Sequence, residues 1–170
     1  MLAEMSPNSS LTVASSDGTG KLELWDVSQT PFQLLHQVDG GQRFAFSPDG
    51  KLLAVAVQLS LQIYAHEDAG WVRRHWLTEG MAAVTSLAWS PDQKTIVAGD
   101  YGGGIHVWDL TANPPRRRNP TLPGSNIDHI AIPPDGRSMI ASGADIMTTA
   151  WKLDGATPAR LEWDALRNWL

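Results

Sequence analysis

The chain has 170 residues, 42% of them hydrophobic and 18% charged, which is ordinary usage for a globular domain and too apolar for wholesale disorder. A formal net charge of −5 excludes a general attraction to phosphate backbones, and zero cysteines exclude a disulfide framework or a thiolate zinc site. No apolar run approaches the roughly 18 residues that cross a bilayer, and Met1-Leu2-Ala3-Glu4 lacks the basic-then-apolar pattern of a leader. Neither nucleic acid nor membrane is therefore expected as a partner, and the cytoplasm is the expected setting.

Eight Trp against three Phe and two Tyr is a skewed aromatic set, as arises when one short unit is repeated. Four segments follow one plan: Ser-Pro or Pro-Pro, a polar turn, an apolar strand, a Gly or Asp turn, then an alternating strand closed by an aromatic residue. Pro7, Pro48, Pro91 and Pro134 fall 41, 43 and 43 residues apart, and the closing aromatics Trp25, Tyr64, Trp108 and Trp151 fall 39, 44 and 43 apart. Two independent markers thus keep one period, and a period of about 40 to 45 residues built from short strands is that of a four-stranded propeller blade.

In chain order, residues 2–5 supply the first inner strand, Leu11-Thr12-Val13-Ala14 an apolar second strand, and Leu24-Trp25 the end of the third. The third repeat shows the plan best. Val84-Thr85-Ser86-Leu87-Ala88-Trp89 mixes apolar and small polar residues, as a strand between packed blades can. Pro91-Asp92-Gln93-Lys94 then turns the chain, Pro presetting φ and Asp able to bond the backbone ahead of it. Thr95-Ile96-Val97-Ala98 is β-branched and too short for a helix, Asp100-Tyr101-Gly102-Gly103-Gly104 allows positive φ, and Ile105-His106-Val107-Trp108 alternates again. Fourth, outer strands are expected at residues 32–38, 71–77, roughly 118–122 and 159–163, the third among prolines that confine a strand to a sheet edge. The expected repeats run near 1–38, 39–77, 78–122 and 123–163, with a short tail at 164–170; the stretch 161–170 begins in an outer-strand slot and leads into a helical turn through Leu166, Trp169 and Leu170.

The endings Leu24-Trp25-Asp26-Val27 and Val107-Trp108-Asp109-Leu110, with Phe46-Ser47-Pro48-Asp49-Gly50-Lys51 and Trp89-Ser90-Pro91-Asp92, resemble those of WD-repeat proteins over nearly the whole chain. The resemblance implies an all-β WD-repeat β-propeller segment of four four-stranded antiparallel blades. Propellers of this family usually have about seven blades, so a partial propeller, or half of a dimeric ring, is expected. The family's Gly-His dipeptide is replaced by Gly40-Gly41, Glu79-Gly80 and Gly124-Ser125, so its buried His–Asp network is not expected here. Tyr64-Ala65 and Trp151-Lys152 replace Trp-Asp in the second and fourth repeats, which leaves stability leaning on packing.

No catalytic chemistry assembles. Asp17-Gly18-Thr19-Gly20-Lys21 has the look of a phosphate loop but lies between two strands with no helix to follow, and so reads as a hairpin turn. His36, His66, His75, His106 and His129 lack metal-ligand spacing, and no serine sits in a Gly-x-Ser-x-Gly elbow. Asp49, Asp92 and Asp135 recur at one repeat position, which points to turn chemistry rather than acid–base work. The clusters Arg73-Arg74-His75 and Arg116-Arg117-Arg118 read as a guarded strand edge and a proline-rich connection, with no second element to fix the latter.

The expected function is a protein–protein interaction scaffold, without cofactor, metal or catalysis, whose partner of unknown identity crosses the loops on one face. By resemblance that face carries the turns between second and third strands and the connections into inner strands: Asp17, Thr19, Gln42, Gln58, Met81, Asp100, Tyr101, Ser125, Asn126 and Asp145. Tyr101 stands out, because exposed Tyr supplies contact area at small entropy cost, although a blade-packing role is equally compatible with its position. The alternative is a regulatory or structural portion of a larger protein, completed by self-association or by upstream blades; a small-ligand or enzymatic propeller is the third reading.

Overall fold

Period-two alternation, β-branched runs and Gly, Pro and Asp turns favour short antiparallel strands, and a computed structural model shows them. It describes residues 2–7, 12–16, 20–78, 80–118, 126–143, 146–153 and 159–161, the side chains of 2, 13, 15, 16, 146, 147 and 159–161 excepted. Sixteen strands and no helix occur among the described residues. They form four sheets of four strands, each strand antiparallel to its sequence neighbour.

The chain divides into two compact units, Met1–Val84 and Thr85–Leu170. In the first, β1 (Leu2–Met5), β2 (Thr12–Ser16), β3 (Lys21–Asp26) and β4 (Gln33–Asp39) make one blade. Its second blade is β5 (Gly41–Phe46), β6 (Leu52–Val57), β7 (Ser60–Glu67) and β8 (Gly70–Leu77). Their facing sides share one core: Leu22, Leu24 and Val38 of the first blade lie among Phe44, Phe46, Leu53, Val55, Tyr64 and Trp71 of the second. Tyr64, which replaces the family Trp, is buried and donates its hydroxyl to Gln62 at 2.8 Å, so the substitution keeps both the aromatic bulk and a satisfied polar tip.

In the second unit, one blade is β9 (Val84–Trp89, all but its first residue in this unit), β10 (Thr95–Asp100), β11 (Ile105–Asp109) and β12 (Arg116–Arg118). The other is β13 (His129–Ala131), β14 (Ser138–Gly143), β15 (Ile146–Lys152) and β16 (Ala159–Leu161). Val97, Ile105 and Val107 pack against Ile127, Met139, Ala141 and Trp151. Side chains also stitch these blades: the Thr85 hydroxyl donates to the Ile127 carbonyl at 2.5 Å, and the Ile130 N–H donates to Ser86 Oγ at 2.9 Å.

The recurring Ser-Pro-Asp turn is a side-chain clasp. In the second blade Ser47 Oγ donates to Asp49 Oδ1 at 2.7 Å and accepts from the Leu52 N–H at 2.9 Å, while Asp49 also accepts from the Lys51 N–H at 3.0 Å. Ser90, Asp92, Lys94 and Thr95 repeat that geometry at 2.6, 3.1 and 2.9 Å. In the fourth blade, where Pro133 replaces Ser, Asp135 still accepts from the Arg137 N–H at 3.0 Å. The three carboxylates therefore serve the turns. The fourth position of each clasp is left-handed, with φ of 68° at Gly50, 62° at Gln93 and 66° at Gly136, so the third blade places a side chain where glycine is favoured.

Two expectations are corrected. The outer strand of the third repeat already begins at Arg116 rather than at 118, because its arginines find acceptors on β11 immediately after Pro114 and Pro115, and residues 119–122 lie outside the described residues. The arginine triplet is therefore a paired strand held by a second element, not a free connection. The tail expected to turn helical lies outside the described residues, apart from β16.

Candidate functional site

The best-defined candidate surface begins at the turn between β10 and β11. Asp100 ends β10, and only 3% of it is exposed. Its Oδ1 accepts the Gly104 N–H at 2.7 Å, and its backbone closes the same turn through Asp100 N to Gly104 O at 3.0 Å and Gly103 N to Asp100 O at 3.1 Å. Its Oδ2 lies 2.7 Å from His106 Nε2. A Cβ on Gly104 would come within 2.7 Å of both Asp100 Oδ2 and His106 Nε2, so glycine is required there by the pair itself.

On the other side of the ring, His106 Nδ1 lies 2.7 Å from Arg117 Nη2. A guanidinium only donates, so Nδ1 accepts, and the neutral imidazole carries its proton on Nε2 and gives it to Asp100. Burial holds the His106 imidazole below its ordinary value, and the Arg117 charge works in the same direction against Asp100. The ring stacks on Trp108 with centroids 5.7 Å apart. Next to it Arg118 meets Asp109 at 2.5 Å; the Thr111 hydroxyl, followed by Arg118, holds the Asp109 carboxyl down to about 2. A buried His–Asp pair is thus present, although it is not the network that the family's Gly-His dipeptide would supply. Its histidine comes from the third strand of the blade rather than from the connection preceding the first.

This polar base carries Tyr101, which is 70% exposed at the turn tip and so has no blade-packing role. In the second blade the matching turn, between β6 and β7, presents Gln58, at φ 53°, and Leu59, 59% exposed; Ser60 Oγ braces it by donating to the Val57 carbonyl at 2.7 Å. Leu59 was missed by the sequence reading, although an apolar residue in a two-residue hairpin turn is a signal in itself.

The remaining candidates divide by burial. Gln42 is exposed near the start of β5, and Asn126 is half-buried, donating through Nδ2 to Asp128 Oδ1 at 2.5 Å. Met81, 5% exposed, is a core residue, and Asp100 is the buried anchor of the turn; neither offers surface to a partner. Asp17, Thr19, Ser125 and Asp145 lie outside the described residues. Among the described residues no three His, Asp or Glu side chains gather in a metal-holding group.

Residues 73–109 match the family described as WD domain, G-beta repeat, a stretch running from within β8 through β9 and β10 to the end of β11. It contains the Ser90–Asp92 clasp, the Asp100 turn and the closing Trp108-Asp109. Repeats of this kind build propeller scaffolds for protein interaction. Four sheets of the same plan and this matched repeat support a WD-repeat family.

Proposed function

We propose that the chain is a non-catalytic scaffold that receives a protein partner on the turn joining the second and third strands of a blade, with Tyr101 as the anchor in the second unit; in the first unit, taken by itself, Gln58 and Leu59 hold the matching turn. The observation that carries this reading is the contrast within one turn. Tyr101 is exposed while the residue before it is buried and tied by Gly104 and His106. A large amphipathic side chain on a rigid base loses little entropy on binding, which is how interface hot spots gain affinity.

A photo-crosslinking amino acid at position 101 should capture a discrete protein partner in cells. The same group at Lys94, which is exposed in the clasp that joins the other ends of β9 and β10, should not. Tyr101→Ala should weaken that partner by at least about tenfold, near 1.4 kcal/mol, with the melting temperature unchanged. Equal capture from both positions, or a partner indifferent to Tyr101→Ala, would overturn the proposal.

A further inference from the structure

The outer strands of the four blades are not alike. β8 carries Arg73 and Arg74, β12 carries Arg116, Arg117 and Arg118, and β16 carries Arg160, whereas β4 (Gln33-Leu34-Leu35-His36-Gln37-Val38-Asp39) has no lysine or arginine. Cations on an outer strand discourage further strand pairing, and an exposed apolar edge without them invites it. Phe32, Leu34 and Leu35 are exposed, and Leu34 and Leu35 both face outward because a bulge opposite Leu24 and Trp25 breaks the alternation. In β8, by contrast, the Arg73 guanidinium lies 5.0 Å over the exposed Trp76 ring and covers it.

A groove of about 510 Å³ adjoins this bare strand. Gln33, Leu34 and Leu35 form one wall, and the β7–β8 hairpin from His66 to Trp71 forms the other. No lysine or arginine lines it, while Glu67 and Asp68 do. Glu67 is held by Arg74 of its own hairpin, and no described cation lies against Asp68. Trp71 in the same wall has a buried indole N–H with no acceptor among the described residues.

We propose that β4 and this groove form a docking edge for an extended segment of a partner protein that alternates basic and apolar residues, added as a fifth strand to the first blade. The main chain of such a segment completes the β4 edge. Its apolar side chains cover Leu34 and Leu35, and its cations meet Asp68 and the rim of Glu67. A second copy of this chain is a poorer occupant: two-fold pairing of β4 with itself would bring two acid-rimmed grooves together between molecules of net charge −5. The surface shares no residue with the Tyr101 turn, so either proposal can fail alone.

The test uses the full chain and fluorescent ten-residue peptides of alternating lysine and valine. Matched peptides carry glutamate for lysine, or N-methyl groups on alternate residues that block a strand ladder. The lysine peptide should bind, and both matched peptides should bind at least about tenfold more weakly. Leu34→Lys, which installs the missing edge cation, and Asp68→Lys should each weaken the lysine peptide by about tenfold, with circular dichroism unchanged. Asp135→Lys, the same charge change at an exposed turn in the other unit, should leave binding as it was. Binding that survives N-methylation, or that falls equally with Asp135→Lys, means non-specific charge attraction and overturns the proposal. So does the absence of binding, or sedimentation showing a dimer that Leu34→Lys dissolves.

Discussion

His106 Nε2 and Asp100 Oδ2 lie 2.7 Å apart, both side chains almost wholly buried, one at the beginning of β11 and the other at the end of β10. Asp100→Ala would strip the acceptor from both His106 and the Gly104 N–H at once. Leaving a buried donor without its acceptor costs about 1 to 3 kcal/mol. Urea unfolding should show a loss of that size, and amide exchange at Gly103 and Gly104 should accelerate more than within β10, because the turn beneath Tyr101 loses its tie.

Stability should fall in mild acid. His106, His36 and His75 are all held below the ordinary imidazole value of 6.5, each chiefly by burial. The unfolded chain therefore binds these protons first as pH falls, so stability is complete above 6.5 and is lost progressively below it, until the folded groups protonate too. His106→Gln, which cannot titrate, should flatten part of that slope in a series of denaturant midpoints between about pH 7 and pH 5. Asp109 adds a lower window: its stabilisation is present above 3.8 and is lost as pH falls toward its folded value of about 2.

Trp108 is 1% exposed and stacked on His106, so truncation removes a large packed ring and leaves the imidazole beside a cavity. Trp108→Ala should cost about 3 to 5 kcal/mol. An unchanged melting temperature would contradict its place in the core.

Gln93 occupies the left-handed position that Gly50 and Gly136 hold in the equivalent clasps. An L-residue there carries a backbone cost of about 1 to 2 kcal/mol, partly offset by the entropy a glycine loses on folding, about 0.5 to 1 kcal/mol. Gln93→Gly should therefore stabilise the protein by about 0.5 to 1 kcal/mol, raising the denaturant midpoint with no change in its slope.

The blade plan was legible in the sequence because its causes are local. Alternation sets which face of a strand is buried, Ser-Pro-Asp closes a clasp within six residues, and the closing aromatics keep register; even Tyr64, which departs from the motif, sits where its repeat position requires. Edge pairing as early as Arg116 was not legible because prolines near Pro114 and Pro120 forbid much but choose nothing. The choice was made by Asp109 and His106, whose acceptors become visible only when β11 lies alongside.

The same limit governs the surface. The resemblance put Asp100 and Met81 among the candidate contacts together with Tyr101 and Gln58, and it does not say whether a turn residue points outward or inward. Burial separated them, turning Asp100 into the support and leaving Tyr101 as the exposed feature. The sequence by itself determined the repeat, the strands and the turn chemistry, all set by interactions within a few residues. Only the tertiary structure decided which histidine meets which aspartate, which arginines are held, and that the cation-free outer strand β4 lies beside an acidic groove, because those relationships join side chains on different strands that only folding brings together.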